Sequence, residues 1–268
     1  MLNKPLSPEE ALKRKRKREQ EQEREQEFPV LEKKAHAVPD SAKLKHNEAG
    51  AISSFSLAVI NAKVRLHFSN GMYKSCNKMY VWDQNRAPPQ DAKLIKKHVI
   101  RNAAVVVARP HMLKLRESIN DPGLTNLAAG GMLMSMDRPV GNCGEMSLAA
   151  LYLAHQQNIQ ALWICRIDTP GDHNFCIVTK GATPEFKNVS DFAKDRSGAW
   201  ALDPWANIVC ELKDYVTHFN MKMQTWAGQS KWVHFHPTPN SPGEWMLPTS
   251  TLYTYGLMFG AVEFEKGW

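Results

Sequence analysis

The chain has 268 residues, 43% of them hydrophobic, enough for a substantial core, which excludes a wholly disordered protein. Its net charge is +7, but the first 34 residues hold ten cations against eight carboxylates, so the excess is spread rather than gathered into a nucleic-acid patch. Five scattered cysteines with no C-x-x-C pair speak against a disulfide framework or a zinc knuckle and for a reducing compartment.

Lys13–Arg18 is an unbroken basic block, followed by the Glu/Gln run Glu19–Glu27, with almost nothing apolar to bury. Residues 1–48 are therefore expected to be a mobile charged extension, with residues 49–268 as the folded domain. The block Lys13–Arg18 fits a nuclear import signal or a solvated charge run. Neither an apolar stretch of about 18 residues nor the apolar core of a signal peptide occurs, so no membrane span is expected.

Residues 51–68 and 72–82 carry apolar and aromatic residues without a clean period. Between Asp91 and Val107, Leu94, Ile95, Val99, Ile100, Ala103 and Ala104 recur at helical spacing, and Pro110 is expected to limit that helix. Shorter helices are predicted over 112–119 and 124–134. Cys143 follows, in Gly141-Asn142-Cys143-Gly144-Glu145-Met146-Ser147, just before a helical run over 148–157. Beyond it the chain turns strand-like at 161–167, at 175–179 and at 199–202. A weak helix over 214–223, a loop-rich stretch with Pro237, Pro239, Pro242 and Pro248, and a last strand over 260–264 complete the reading. A helical half followed by a strand-rich half is an α+β plan.

Three residues carry the chemistry. A thiol on the first turn of a helix meets unpaired N–H groups and the positive end of the dipole, which favour thiolate over thiol. Cys143, Met146, Ala150 and Leu153 share one helical stripe, so the sulfur is expected to face the sheet. Gly141 and Gly144 flank the thiol and leave room for a substrate backbone. His173 opens a strand on which His173, Phe175 and Ile177 share a face. Asp203 closes another, its backbone restricted by Pro204, and gives an imidazole a fixed acceptor. Asp172 and Asp168 compete for that last role. Against this stand the plainer readings of a buried small thiol, a capping histidine and a turn aspartate. His173 and Cys176 face opposite sides of a strand, and His234 and His236 lack a third ligand nearby, so no metal and no cofactor is expected.

Gly141-Asn142-Cys143-Gly144 opening a helix, His173-Asn174-Phe175-Cys176-Ile177-Val178 on a strand and Leu202-Asp203-Pro204-Trp205 ending the next resemble the papain and transglutaminase-like superfamily. Within it they are most similar to the bacterial toxin and type III effector branch of cysteine proteases and glutamine deamidases. The resemblance spans residues 141–205 and implies a papain-like domain, its helical half carrying the cysteine against a small antiparallel sheet carrying histidine and aspartate. It implies Cys143 as nucleophile, His173 as general base and acid, and Asp203 as the group that orients the imidazole. The substrate implied is an amide of a protein, cleaved or deamidated, and the location is that of a secreted effector in a host cytoplasm, or otherwise cytoplasmic. Two features depart from the family. No glutamine precedes the cysteine to complete an oxyanion hole, which leaves the Cys143 N–H and a second donor, for which Asn142 is the candidate. The interval from Cys143 to His173 is also short for a full protease. The alternative is a non-catalytic interaction module whose basic N-terminal arm binds nucleic acid or an acidic partner.

Overall fold

The computed structural model describes residues 54–69, 78–80, 92–119, 121–137, 139–159, 161–168, 171–181, 183–235 and 243–267. All of them belong to one compact unit over residues 51–268. The charged segment 1–48, with Lys13–Arg18, lies outside the described residues.

The fold is α+β. Helices α1 (Ser54–Ser69), α2 (Ala92–Ile119), α3 (Asn126–Ser135) and α4 (Cys143–Gln156) come first, with the short strand β1 (Lys78–Tyr80) between α1 and α2. Next are β2 (Leu162–Ile167), β3 (His173–Val178), β4 (Trp200–Asp203) and β5 (Ile208–Glu211), then helix α5 (Tyr215–Gly228). Strands β6 (Lys231–Phe235) and β7 (Glu244–Met246), helix α6 (Thr251–Phe259) and strand β8 (Val262–Lys266) follow. The larger sheet has the order β5-β4-β3-β2-β8 and is antiparallel throughout; a second sheet has the order β1-β6-β7. The hairpin β2–β3 pairs Ile167 with His173, which fixes the imidazole at the strand end.

Alternation along β3 separates two layers. On one face the Ser147 hydroxyl of α4 lies 3.0 Å from the Asn174 carbonyl, and the Cys176 thiol donates to the Ser147 carbonyl at 3.3 Å. On the other, the Phe175 ring stacks on Tyr215 at 4.3 Å and meets Phe192 edge-on. The helix that begins at Cys143 and the aromatic core thus sandwich the strand that carries His173.

Several expectations change. Helix α2 runs through Pro110 as one element of 28 residues instead of two. Proline removes one N–H and frees the carbonyl four residues earlier, here that of Val106. Both residues lie on the exposed side of the helix, where water can satisfy that carbonyl. The aperiodic stretch at 54–69 is a helix because Leu57, Ile60, Val64 and Phe68 form a buried stripe at three- and four-residue spacing, hidden among other apolar side chains. The stretch expected as loop contains β6, β7 and α6. Ser250 caps α6 by accepting from the Tyr253 N–H at 3.3 Å. Pro237, Pro239 and Pro242 lie outside the described residues.

Candidate active site

Helix α4 begins at Cys143 because Asn142 and Glu145 form a capping box, with the Asn142 N–H donating to Glu145 Oε2 at 2.7 Å. Glu145 is buried, and its other oxygen accepts from Arg116 Nε of α2 at 2.6 Å. The carboxylate therefore ties the start of α4 to α2. Gly141 is required by packing: a methyl there would lie 2.5 Å from the Phe68 ring and 2.6 Å from Glu145 Cβ. It serves close approach of α1 and α4, not the substrate access expected from sequence.

Ordinary helix geometry leaves the first N–H groups of α4 without carbonyl partners. The first intrahelical bond is Met146 N–H to the Asn142 carbonyl, 3.0 Å. Among the described residues the N–H groups of Cys143 and Gly144 have no acceptor. Cys143 itself is 7% exposed, reachable yet mostly covered.

Asp203 and His173 are 0% and 2% exposed and bonded to each other, His173 Nε2 donating to Asp203 Oδ2 at 2.9 Å. Tyr215 Oη donates to the same oxygen at 2.9 Å, and the Ala206 N–H donates to Oδ1 at 2.9 Å. Burial alone would raise the Asp203 carboxyl, but the His173 charge and hydrogen bond, then the Ala206 and Tyr215 donors, hold it below the usual carboxylate range. Burial alone would likewise push His173 down. The Asp203 charge and hydrogen bond, followed by a hydrogen bond and charge from Cys143, outweigh it and raise the imidazole to about 10. With Nε2 engaged by Asp203, Nδ1 is the nitrogen left for the cysteine sulfur. Trp205 and Phe219 enclose the ring at centroid distances of 5.0 and 5.5 Å, which excludes water and suits an imidazolium.

The turn bearing Asp203 is clamped by α1. Arg65 donates to the Pro204 carbonyl at 3.3 Å, and Asn61 Nδ2 donates to Asn207 Oδ1 at 2.8 Å. Asn207 sits at φ 60, a left-handed conformation that asparagine tolerates. Asp172, the competitor beside the histidine, is exposed.

Cys143, His173 and Asp203 are thus brought together. Asn142 stands next to them, but its backbone N–H is occupied by Glu145 and its side-chain nitrogen donates to Met112 Sδ at 3.1 Å. Asn174, which sequence reading passed over, is better placed for a reacting oxygen. Its Nδ2 would lie 3.3 Å from a methyl on residue 144, so it overhangs the first turn of α4. That amide has no acceptor among the described residues.

Other residues of the site were also missed. Glu145 could have been found, since Asn142-x-x-Glu145 has capping-box spacing. Tyr215 and Tyr253 carry no local signal, and both are pushed well above 10 by burial first. For Tyr253 the next cause is the Cys143 charge. The thiols of Cys165, Cys176 and Cys210 are raised, chiefly by burial. Cys76 lies outside the described residues. Among the described residues no three His, Cys, Asp or Glu side chains group as metal ligands, and no helix is long and apolar enough to cross a membrane.

Compared with family models, with curated proteins and with solved structures, the chain matches none.

Proposed function

We propose that this protein is a thiol hydrolase of papain or transglutaminase-like type, acting on an amide of a protein substrate by peptide cleavage or glutamine deamidation. The observation that carries the reading is the buried His173, bonded to Asp203 at 2.9 Å through Nε2, with Cys143 at the start of a helix among the groups that raise its imidazole. A buried carboxylate fixed by two further donors is both neutralised by the imidazolium and held as a rigid acceptor for it. It suits an imidazole that must keep one orientation while trading a proton with a thiol.

In the first step the Cys143 thiol passes its proton to His173 and the sulfur attacks the amide carbon, forming an S–C bond while the carbonyl electron pair moves to oxygen. The N–H groups of Cys143 and Gly144 and the Asn174 amide surround the place where that oxyanion develops. The missing upstream glutamine is thereby replaced by a residue next to the histidine. His173 then gives its proton to the departing nitrogen as the C–N bond breaks, releasing an amine or ammonia. Water, deprotonated by His173, opens the thioester to the acid and restores the thiol with its proton. Asp203 stays ionised throughout and holds the ring.

Incubating wild type and Cys143→Ala with cell lysate tests this. Mass spectrometry is expected to find new peptide termini, or the gain of about one dalton that accompanies exchange of amide for acid, only with wild type. Identical products from both proteins would refute the assignment.

A further inference from the structure

Helix α2 is apolar on two opposite sides, and only one of them is buried. Val105, Ala108, Met112, Leu115 and Ile119 recur at steps of three and four and face the core. Val99, Ala103, Val106, Pro110 and Leu113 recur at steps of four and three on the far side and are exposed, Val106 at 74% and Leu113 at 53%. Ile100 and Val107 widen that stripe. Single exposed aliphatics are ordinary, whereas seven apolar residues on one arc of one helix mark a surface that meets something.

Charge decides what. Exposed Arg109 and Lys114 flank the stripe, one on each side, and the helix carries no carboxylate before Glu117. A nucleic acid would answer the cations and leave the aliphatics in water. A second copy would bring two cationic helices together. The acidic run Glu19–Glu27 of this chain has no apolar residue with which to fill the stripe. A membrane interface answers both features, its anionic headgroups meeting the Arg and Lys side chains while the aliphatics enter the acyl boundary.

We propose that the outer face of α2 docks the protein on an anionic lipid surface, lying in the interface without crossing it. The docking stands independently of the chemistry at Cys143. The two are nonetheless adjacent, because the inner face of α2 holds Met112 against Asn142 and Arg116 against Glu145 at the opening of α4. A docked protein would present its cysteine to substrates gathered at the same membrane.

The test is co-sedimentation of the full chain with vesicles of phosphatidylcholine alone and of phosphatidylcholine mixed with phosphatidylserine. Binding is expected to the mixed vesicles only and to weaken with added salt. The Val106→Asp/Leu113→Asp variant is expected to lose affinity by at least about tenfold, and Arg109→Gln/Lys114→Gln to weaken it severalfold. Replacing the six residues Lys13–Arg18 by glutamine should leave most of the binding. Thermal unfolding followed by circular dichroism checks the fold, and Val106→Gln carries the test should the double aspartate variant melt early. Absence of binding to either vesicle, full binding by both α2 variants, or loss only in the Lys13–Arg18 variant would each overturn the proposal. The first outcome would point to an acidic protein surface and the last to the N-terminal arm.

Discussion

Replacing Asp203 by alanine is expected to lower kcat by about 10⁴-fold and stability by about 3–5 kcal/mol. Both effects come from one carboxylate. It accepts from His173, Tyr215 and the Ala206 N–H, and its loss leaves three buried donors without an acceptor. The imidazole also loses the charge that keeps it protonated and the bond that orients it. Turnover of an identified substrate measures the first effect and urea unfolding of wild type and variant the second.

The stability difference should depend on pH in a defined direction. His173 is raised in the fold to about 10, so the stability it contributes is complete below its unfolded value near 6.5 and is lost as pH rises through about 10. Asp203 is lowered, so its contribution is present above about 3.9 and is lost as pH falls through its depressed folded value. The gap between wild type and Asp203→Ala is therefore widest between those limits and narrows on both sides. A gap that does not change from mild acid to strong alkali would contradict an ionised pair.

Asn174→Ala is expected to cost about 10²–10³-fold in kcat with little change in KM, because the amide meets an oxygen that is fully charged only in the transition state. Removing a side chain that has no acceptor among the described residues should barely change the melting temperature. Alkylation of Cys143 should also proceed at the wild-type rate, since iodoacetamide generates no oxyanion at this position. A variant with normal turnover, or one whose thiol has slowed as much as its turnover, would rule out that role. Asn142→Ala offers a contrast, because it removes the helix cap as well and is expected to lower stability by about 1 kcal/mol.

The parts of the fold visible in sequence are those with a local cause. Breakers on either side delimit β2 and β3, and the glycine and asparagine before Cys143 mark the opening of α4. The alternation that set Phe175 apart from Cys176 also holds, because a strand packed on both faces keeps its two sets of side chains distinct. What escaped depends on distant partners. Helix α1 looked aperiodic because apolar residues surround its buried stripe. Pro110 looked like a terminator, yet the proline stands on the exposed side, where a freed carbonyl costs little. Of the residues of the proposed site, Cys143, His173 and Asp203 each stand at the edge of an element, which is a signal the sequence carries. Tyr215 and Asn174 were not legible in that way, since a tyrosine 12 residues beyond Asp203 and an asparagine beside the histidine acquire meaning only when strands and helices are assembled. Gly141 illustrates the reverse, a glycine that looked like access and is needed for the approach of Phe68.

The most direct measurement is the rate at which iodoacetamide modifies each cysteine in the folded protein near neutral pH. Cys143 is expected to react ahead of Cys165, Cys176 and Cys210, whose thiols burial keeps protonated. His173→Ala is expected to slow it by about 10²-fold or more while leaving the other three unchanged. Equal and slow labelling of Cys143 and these three, or a Cys143 rate indifferent to the loss of His173, would contradict a thiol activated by the buried imidazole.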